Sequence, residues 1–409
     1  MSQSEQNVGA AVQSKPFVSR GVIVFAAVQA VFLMGVGGFA AWRYQELTKP
    51  HLPPVPRNEP IRITPLYDRP EVVSDEQLQR VLHLLEPRFR GRNPQINHVD
   101  HALRFWGVEA VFSDPRSLSG IEMRELLLDH RRFAAAWGDK KKPFLVPDTT
   151  GDGLTFRTME GKASASHVDH TLAGLAEVGT PLDYPVITPN GETTLRAGLA
   201  QSLDEFSLNQ VEYEWSTLAY LHYLPHATSF RTTEGQEITW DRLADRLMRQ
   251  RLAQGVCFGN HRLHALALML RADEEFEMLS EDGRAKVIAH LQDATRRLVK
   301  TQSPEGYWDG SWPGEEIDGP QPDGITSPMG AQADRLLATG HALEWWAFAP
   351  PECLPPADVI ERAGQWLVHG VEELTPSQLS RFYPFLSHVG RALSLWRGQF
   401  PAEVYRPLS

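Results

Sequence analysis

Six segments of the chain carry one short pattern: two positions three residues apart, then a small residue, then leucine. In order they read His98-Val-Asp-His101-Ala102-Leu103, His167-Val-Asp-His170-Thr171-Leu172, Tyr213-Glu-Trp-Ser216-Thr217-Leu218, His261-Arg-Leu-His264-Ala265-Leu266, Ala338-Thr-Gly-His341-Ala342-Leu343 and His388-Val-Gly-Arg391-Ala392-Leu393. Recurrence at about 45 to 80 residues marks a supersecondary unit used repeatedly, with loops absorbing the variation. The pattern has a packing reason. Ala or Thr at the fifth position lets a neighbouring helix approach closely, and Leu at the sixth suits a core contact. Positions one and four share a face, because residues three apart are neighbours on a helix.

Between these segments lies a second kind. Gly21 to Trp42 aside, apolar residues recur at spacings of three and four, which predicts helices and excludes an all-β fold. One set is long and charged along one face: 74–89, 120–137, 194–206, 239–252, 280–301 and 356–374. Capping residues open several of them, as in Ser74-Asp-Glu, Thr239-Trp-Asp and Ser280-Glu-Asp, where a hydroxyl satisfies free N–H groups. The other set holds the repeated pattern and is more apolar: 98–111, 167–178, 211–224, 261–270, 334–348 and 384–396. Six outer helices alternating with six inner ones imply an all-α (α/α)6 toroid over 74–409. The same pairs left open would form a solenoid; six pairs without a polar capping repeat favour closure.

Residues Gly21 to Trp42 are apolar apart from Gln29, and about 22 helical residues cross a hydrocarbon core of roughly 30 Å. The expectation is one retained transmembrane helix, 21–42, rather than a cleaved signal peptide, whose apolar region is shorter. Trp42 and Tyr44 fit an interfacial aromatic belt. Lys15 and Arg20 on one side are matched by Arg43 and Lys49 on the other, so orientation rests on the usual arrangement for a lone N-terminal anchor. That places the protein in the cell membrane as a single-pass chain, with the globular part extracytoplasmic. Residues 1–20 read as a disordered tail, and 43–73, with its prolines between Thr48 and Pro60, as an extended spacer.

A formal charge of −11 with no basic stripe excludes a nucleic-acid partner. Cys257 and Cys353 are the only cysteines and form no CxxC, so neither a disulfide framework nor a thiolate zinc site is indicated.

Two connections, 139–166 and 302–332, exceed ordinary helix–helix loops and invite a functional role. At the second, Leu298-x3-Gln302-x3-Gly306-x-Trp308, followed by Asp309-Gly-Ser-Trp312, resembles the QW motif of terpenoid cyclases and the related prenyltransferase-like toroids. The resemblance implies a toroidal helical fold in which the glutamine caps an outer helix and stacks on the tryptophan. The acidic DxDD and DDxxD motifs, the thioester sequence and the prenyltransferase zinc set of that superfamily have no counterpart here, so no catalytic residue follows from it.

The remaining candidates come from the residues themselves. His98, His101, His167, His170, His261, His264, His341 and His388 place up to eight imidazoles at one end of the helix set. They could hold a divalent metal, with zinc-activated water giving hydrolysis and Asp100, Asp169, Glu212 or Glu214 orienting ligands or acting as base. They could equally bridge neighbouring helices by hydrogen bonds, since HxxH lacks the glutamate and spacing of the zincin motif. Asp148-x-Thr150-x-Asp152-Gly153 matches the first half of a calcium loop but has Met159 at the twelfth position, where an EF-hand needs glutamate; an ordinary turn is the alternative. Tyr307, Trp308 and Trp312 could stack on a sugar or prenyl chain or pack within their loop. Asp309, Glu315, Glu316, Asp318 and Asp323 could supply a glycosidase pair or be solvated loop charges. The leading functional expectation is a His-rich cavity that binds, and could transform, a small or lipid-like ligand. A scaffold for a protein partner and a carbohydrate-active enzyme are the alternatives.

Overall fold

The computed structural model describes residues 19–48, 53, 55, 57–148, 153–314 and 329–407. The chain divides into two units, Met1–Lys49 and Pro50–Ser409. The first contains helix α1, Arg20–Thr48. Its stretch Arg20–Gln45 has a mean hydropathy of 2.2 and is long and apolar enough to cross a membrane. The apolar side chains from Val22 to Trp42 are exposed, so no protein core accounts for them.

The second unit is mostly helical. In chain order its helices are α2 (Asp75–Leu84), α3 (Ile96–Trp106), α4 (Gly120–Leu128), α5 (His130–Trp137), α6 (His170–Glu177), α7 (Leu195–Glu205), α8 (Glu214–Tyr223) and α9 (Trp240–Arg249). There follow α10 (Asn260–Phe276), α11 (Glu281–Thr301), α12 (Ala331–Trp346), α13 (Ala357–Glu372), α14 (Pro376–Arg381), α15 (Tyr383–Leu395) and α16 (Pro401–Val404). The expected caps form: Ser74 and Gln77 make a reciprocal capping box on α2, Thr239 caps α9 and Ser280 caps α11.

The six pattern-bearing helices pack in one succession. Helix α3 contacts α6, α6 contacts α8, α8 contacts α10, α10 contacts α12, α12 contacts α15, and α15 returns to α3. The small residue and the leucine explain this. Ala102, Leu103, Thr171, Leu172, Thr217, Leu218, Ala265, Leu266, Ala342, Leu343, Ala392 and Leu393 are all buried. Close approach is sharpest where a side chain would not fit: a Cβ on Gly390 would lie 2.4 Å from the Phe105 ring, and one on Gly340 3.1 Å from the Val389 backbone nitrogen.

Four expectations need correction. The fold is not purely helical, because among the described residues three antiparallel two-stranded hairpins stand between helices: β1–β2 (Leu145–Pro147, Leu154–Phe156), β3–β4 (Pro185–Thr188, Gly191–Thr194) and β5–β6 (Ser229–Arg231, Glu237–Thr239). Asn190-Gly191 at the tip of the second is a strong short-range hairpin signal. The long segment 120–137 is broken at Asp129, whose extended backbone (φ −122°, ψ 108°) ends α4 while its carboxylate caps α5. In two copies the pattern also starts before its helix. Asp169 sits in the left-handed region at φ 57° just before α6, and Tyr213 precedes α8, so His167 and His170 do not share a helical face.

The stretch read as a spacer, 43–73, is helical to Thr48 and belongs to the folded unit from Asn58. The Asn58 carbonyl accepts from Leu182 N–H at 2.9 Å, Ile61 N–H donates to the His222 carbonyl at 2.8 Å, Leu66 N–H to Ala347 at 3.0 Å and Arg69 N–H to Trp396 at 2.7 Å. Tyr67 stacks on Trp396 and donates its hydroxyl to the Ala349 carbonyl. These acceptors lie at the C-terminal ends of α8, α12 and α15. The segment therefore satisfies carbonyls that helix ends leave without intrahelical partners.

Candidate functional site

Six imidazoles contributed by α3, α6 with its preceding turn, α10, α12 and α15 meet between the helices. His341 and His388 have ring centroids 3.8 Å apart, His101 and His170 4.5 Å, and His261 and His341 4.7 Å. His101 and His261 lie 5.8 and 5.9 Å from His388, and His167 is 6.0 Å from both His170 and His261. Trp215 of α8 fills the gap between His170 (4.2 Å) and His261 (4.7 Å). All six helices of the succession thus reach the cluster.

The rings are held from outside. His170 Nδ1 donates to Asp100 at 2.7 Å, His167 Nδ1 to Glu212 at 2.9 Å, His388 Nδ1 to Glu344 at 2.9 Å and His101 Nδ1 to the Asn97 carbonyl at 2.8 Å. His341 Nδ1 is 3.2 Å from the same Glu344 oxygen that His388 uses. Carboxylates and carbonyls only accept, so in these rings Nδ1 carries a hydrogen, and a ring that is neutral then has its lone pair on Nε2. The Nε2 atoms of His170, His261 and His341 are buried without a hydrogen-bond partner among the described residues. Burial holds His101, His261 and His388 well below the ordinary imidazole value, and the neighbouring histidines add to the shift. These rings are neutral in the fold, the form in which imidazole is an electron-pair donor.

One turn further along lies a second polar layer. Arg104 pairs with Glu177 and, at 3.0 Å, with Glu344; Arg391 reaches Glu344 at 2.9 Å and Glu177 at 3.0 Å. Arg104 also donates to His264 Nε2 at 3.2 Å. Burial alone would raise both carboxyls, but Arg104 holds Glu344 and Glu177 well below the usual carboxylate range. Glu344 joins the layers, accepting from imidazoles on one oxygen and guanidinium groups on the other. A cleft of about 290 Å³ reaches Arg104, Glu177 and Arg391, with apolar walls that include Ile61, Phe105 and Phe400.

No family model, curated protein or solved structure matches the chain. The reading therefore rests on the geometry.

The sequence candidates separate into groups. His101, His167, His170, His261, His341 and His388 come together, with Asp100 and Glu212 as holders. His264 belongs to the arginine layer, and His98 stands apart, stacked on Tyr383 at 6.1 Å. Glu214 pairs with Arg262 at 2.8 Å, and Asp169, which burial raises, accepts from Ser202 and Ser216; neither orients a histidine. Trp308 and Trp312 are buried and offer no stacking face. The Trp308 indole donates to the Leu298 carbonyl at 2.7 Å, and Gln302 donates to Gly306 and Val359 carbonyls beside it. Asp309 is exposed and caps its own turn through Ser311. Asp148 closes the first hairpin by an N–H bond to the Gly153 carbonyl; Thr150, Asp152, Glu315, Glu316, Asp318 and Asp323 lie outside the described residues.

Sequence reasoning missed Arg104, Glu344, Glu177, Trp215 and Cys257. Two left a signal. Arg104 and Glu344 occupy the seventh position of the pattern, one turn beyond the histidine at position four, with opposite charges in different copies.

Proposed function

We propose that the protein is a single-pass membrane protein whose folded unit is an (α/α)6 toroid, with the histidine cluster on the ring axis serving as a binding centre for a small electron-pair acceptor or hydrogen-bond donor. The unbroken succession of inner-helix contacts supports the ring, and the Gln302–Trp308 corner supports the likeness to terpenoid cyclase-type toroids. One observation carries the binding centre: the buried Nε2 atoms of His170, His261 and His341 have no hydrogen-bond partner among the described residues. An unsatisfied buried polar atom costs about 1–3 kcal/mol. His170 and His341 are each held on Nδ1, by Asp100 and Glu344, and unpartnered Nε2 atoms within one cluster suit a site organised for an occupant better than a site organised for packing.

Stability separates the two uses. In ligand-free protein, His261→Met removes a polar atom that satisfies nothing, so the denaturation midpoint rises, by about 1 kcal/mol of stability. A packing role predicts the reverse, and a drop of that size would remove the binding-centre reading. For the membrane reading, α1 anchors the chain and the folded unit lies outside the cytoplasm. Protease added to intact cells then digests the folded unit; full protection until the membrane is permeabilised would reverse the orientation.

A further inference from the structure

Cys257 is four residues before His261, and the fold brings its thiol to the histidines through an unusual backbone. Cys257 (φ 50°, ψ 41°), Phe258 (φ 61°, ψ 31°) and Gly259 (φ 76°) are three successive left-handed residues immediately before α10. Each non-glycine residue held there costs about 1–3 kcal/mol, which surrounding contacts must over-determine. They do. Phe258 is buried so closely against Gly310 that a Cβ on that glycine would lie 2.4 Å from its ring, and a Cβ on Gly255 would lie 2.7 Å from Gly259 Cα. The result is that the Cys257 sulfur and one ring nitrogen each of His261 and His341 all lie within 4.8 Å of one another.

We infer that Cys257, His261 and His341 are three ligands of a site for a borderline transition-metal dication of the zinc and cobalt kind. The inference rests on the binding-centre reading and names its occupant. Two independent features point to an ion. The Nε2 atoms of His261 and His341 are buried without a partner, although both residues are nearly inaccessible, at 4% and 2% exposure. And His341 Nδ1 is fixed by Glu344, the carboxylate–histidine arrangement that sets ring orientation and basicity at metal sites.

The donor set selects the class of ion. One thiolate with two imidazoles suits borderline and soft metals, whereas magnesium and calcium prefer oxygen. Bonds of roughly 2.0–2.3 Å give ligand separations near 3.5 Å in a tetrahedron, so from separations of at most 4.8 Å the ion draws the atoms together by no more than about 1.3 Å. Three protein ligands leave a fourth position for water or another ligand, and the His388 ring lies 3.8 Å from that of His341 between centroids. On binding, the Cys257 S–H bond breaks, a sulfur–metal bond forms and one proton leaves to solvent; the imidazoles release none and no electron is transferred. Burial and then Glu212, Glu344 and Glu214 push the Cys257 thiol up. The same negative field that disfavours a bare thiolate draws in a cation.

The test is titration of the metal-free full chain in detergent with Co²⁺, followed by Zn²⁺ competition. The expected result is one ion per chain with a near-ultraviolet thiolate-to-cobalt band. That band is absent from Cys257→Ser and unchanged in Cys353→Ser. Affinity falls at least about 100-fold in His261→Gln and in His341→Gln, a larger loss than removal of an outer holder causes. Melting curves of each variant establish that it folds, and the wild-type spectrum tests the sulfur ligand without any variant. Cobalt bound with no thiolate band, or a band surviving in Cys257→Ser, overturns the three-ligand site and leaves the binding centre standing. No cobalt bound overturns the metal inference; if His261→Met also fails to stabilise the protein, the binding centre falls with it.

Discussion

Arg391 occupies the position that His101, His170, His264 and His341 hold in other copies, and its neighbours show why a guanidinium stands there. It bridges Glu344 and Glu177, both at 4% exposure or less, and shares them with Arg104. A planar fork can reach two carboxylates at once; an ammonium on a flexible stem cannot hold both with the same geometry. Arg391→Met leaves two buried carboxylates short of a partner, so the expected loss is about 3–5 kcal/mol, and Arg391→Lys recovers only part of it. Urea unfolding of both variants measures this, and a loss below about 1 kcal/mol would show that Arg104 alone neutralises the pair. The residue was legible in the sequence as a deviation from the pattern but not as half of a bridge. Its partners lie 47 and 214 positions away, beyond any local periodicity.

The elements were legible where period and caps agreed. All six pattern-bearing helices formed, because an apolar stripe followed by small-then-leucine has few alternatives to helix packing. Ser74, Thr239 and Ser280 marked true starts for the same reason. Legibility failed where a single residue's tertiary contacts overrode local preference. Asp129 could have continued a helix, yet its carboxylate caps α5 and its backbone bridges to Ile187 in β3. Asp169 turns left-handed because its carboxylate is committed to Ser202 and Ser216. The hairpins failed for a different reason: strands of three or four residues are too short to show an alternation against a helical background. The same logic applies to the site. The histidines were visible as types at a spacing, whereas Cys257 was dismissed because its partners are supplied by α10 and α12 and not by a second cysteine nearby.

At the scale of the whole molecule, so many buried titratable groups make stability a function of pH. In the unfolded chain imidazoles titrate near 6.5. In the fold His101, His261 and His388 stay neutral well below that, chiefly through burial. Above about pH 6.5 both states are neutral and these groups contribute nothing. Below it the unfolded chain takes up protons that the fold refuses, so stability falls, by up to about 1.4 kcal/mol per pH unit for each such ring. Glu177 and Glu344 act in the same direction lower down: their contribution is present above the unfolded carboxylate value and is lost as pH falls toward their depressed folded values. The urea midpoint of metal-free protein is therefore expected to drop steeply between pH 7 and pH 5. A flat profile there would mean that the cluster admits protons without opening.

The segment from Asn58 to Arg69 gives the molecule a mechanical character. Its main-chain bonds are made one by one, to Leu182, His222, Ala347 and Trp396, in the order in which the chain runs. Along the chain Asn58 comes first and Arg69 last, so loss of the earlier attachments leaves the later ones in place. Because Pro60, Ile61 and Arg62 line the cleft that reaches Arg104, Glu177 and Arg391, release of this end of the segment opens one wall of that cleft.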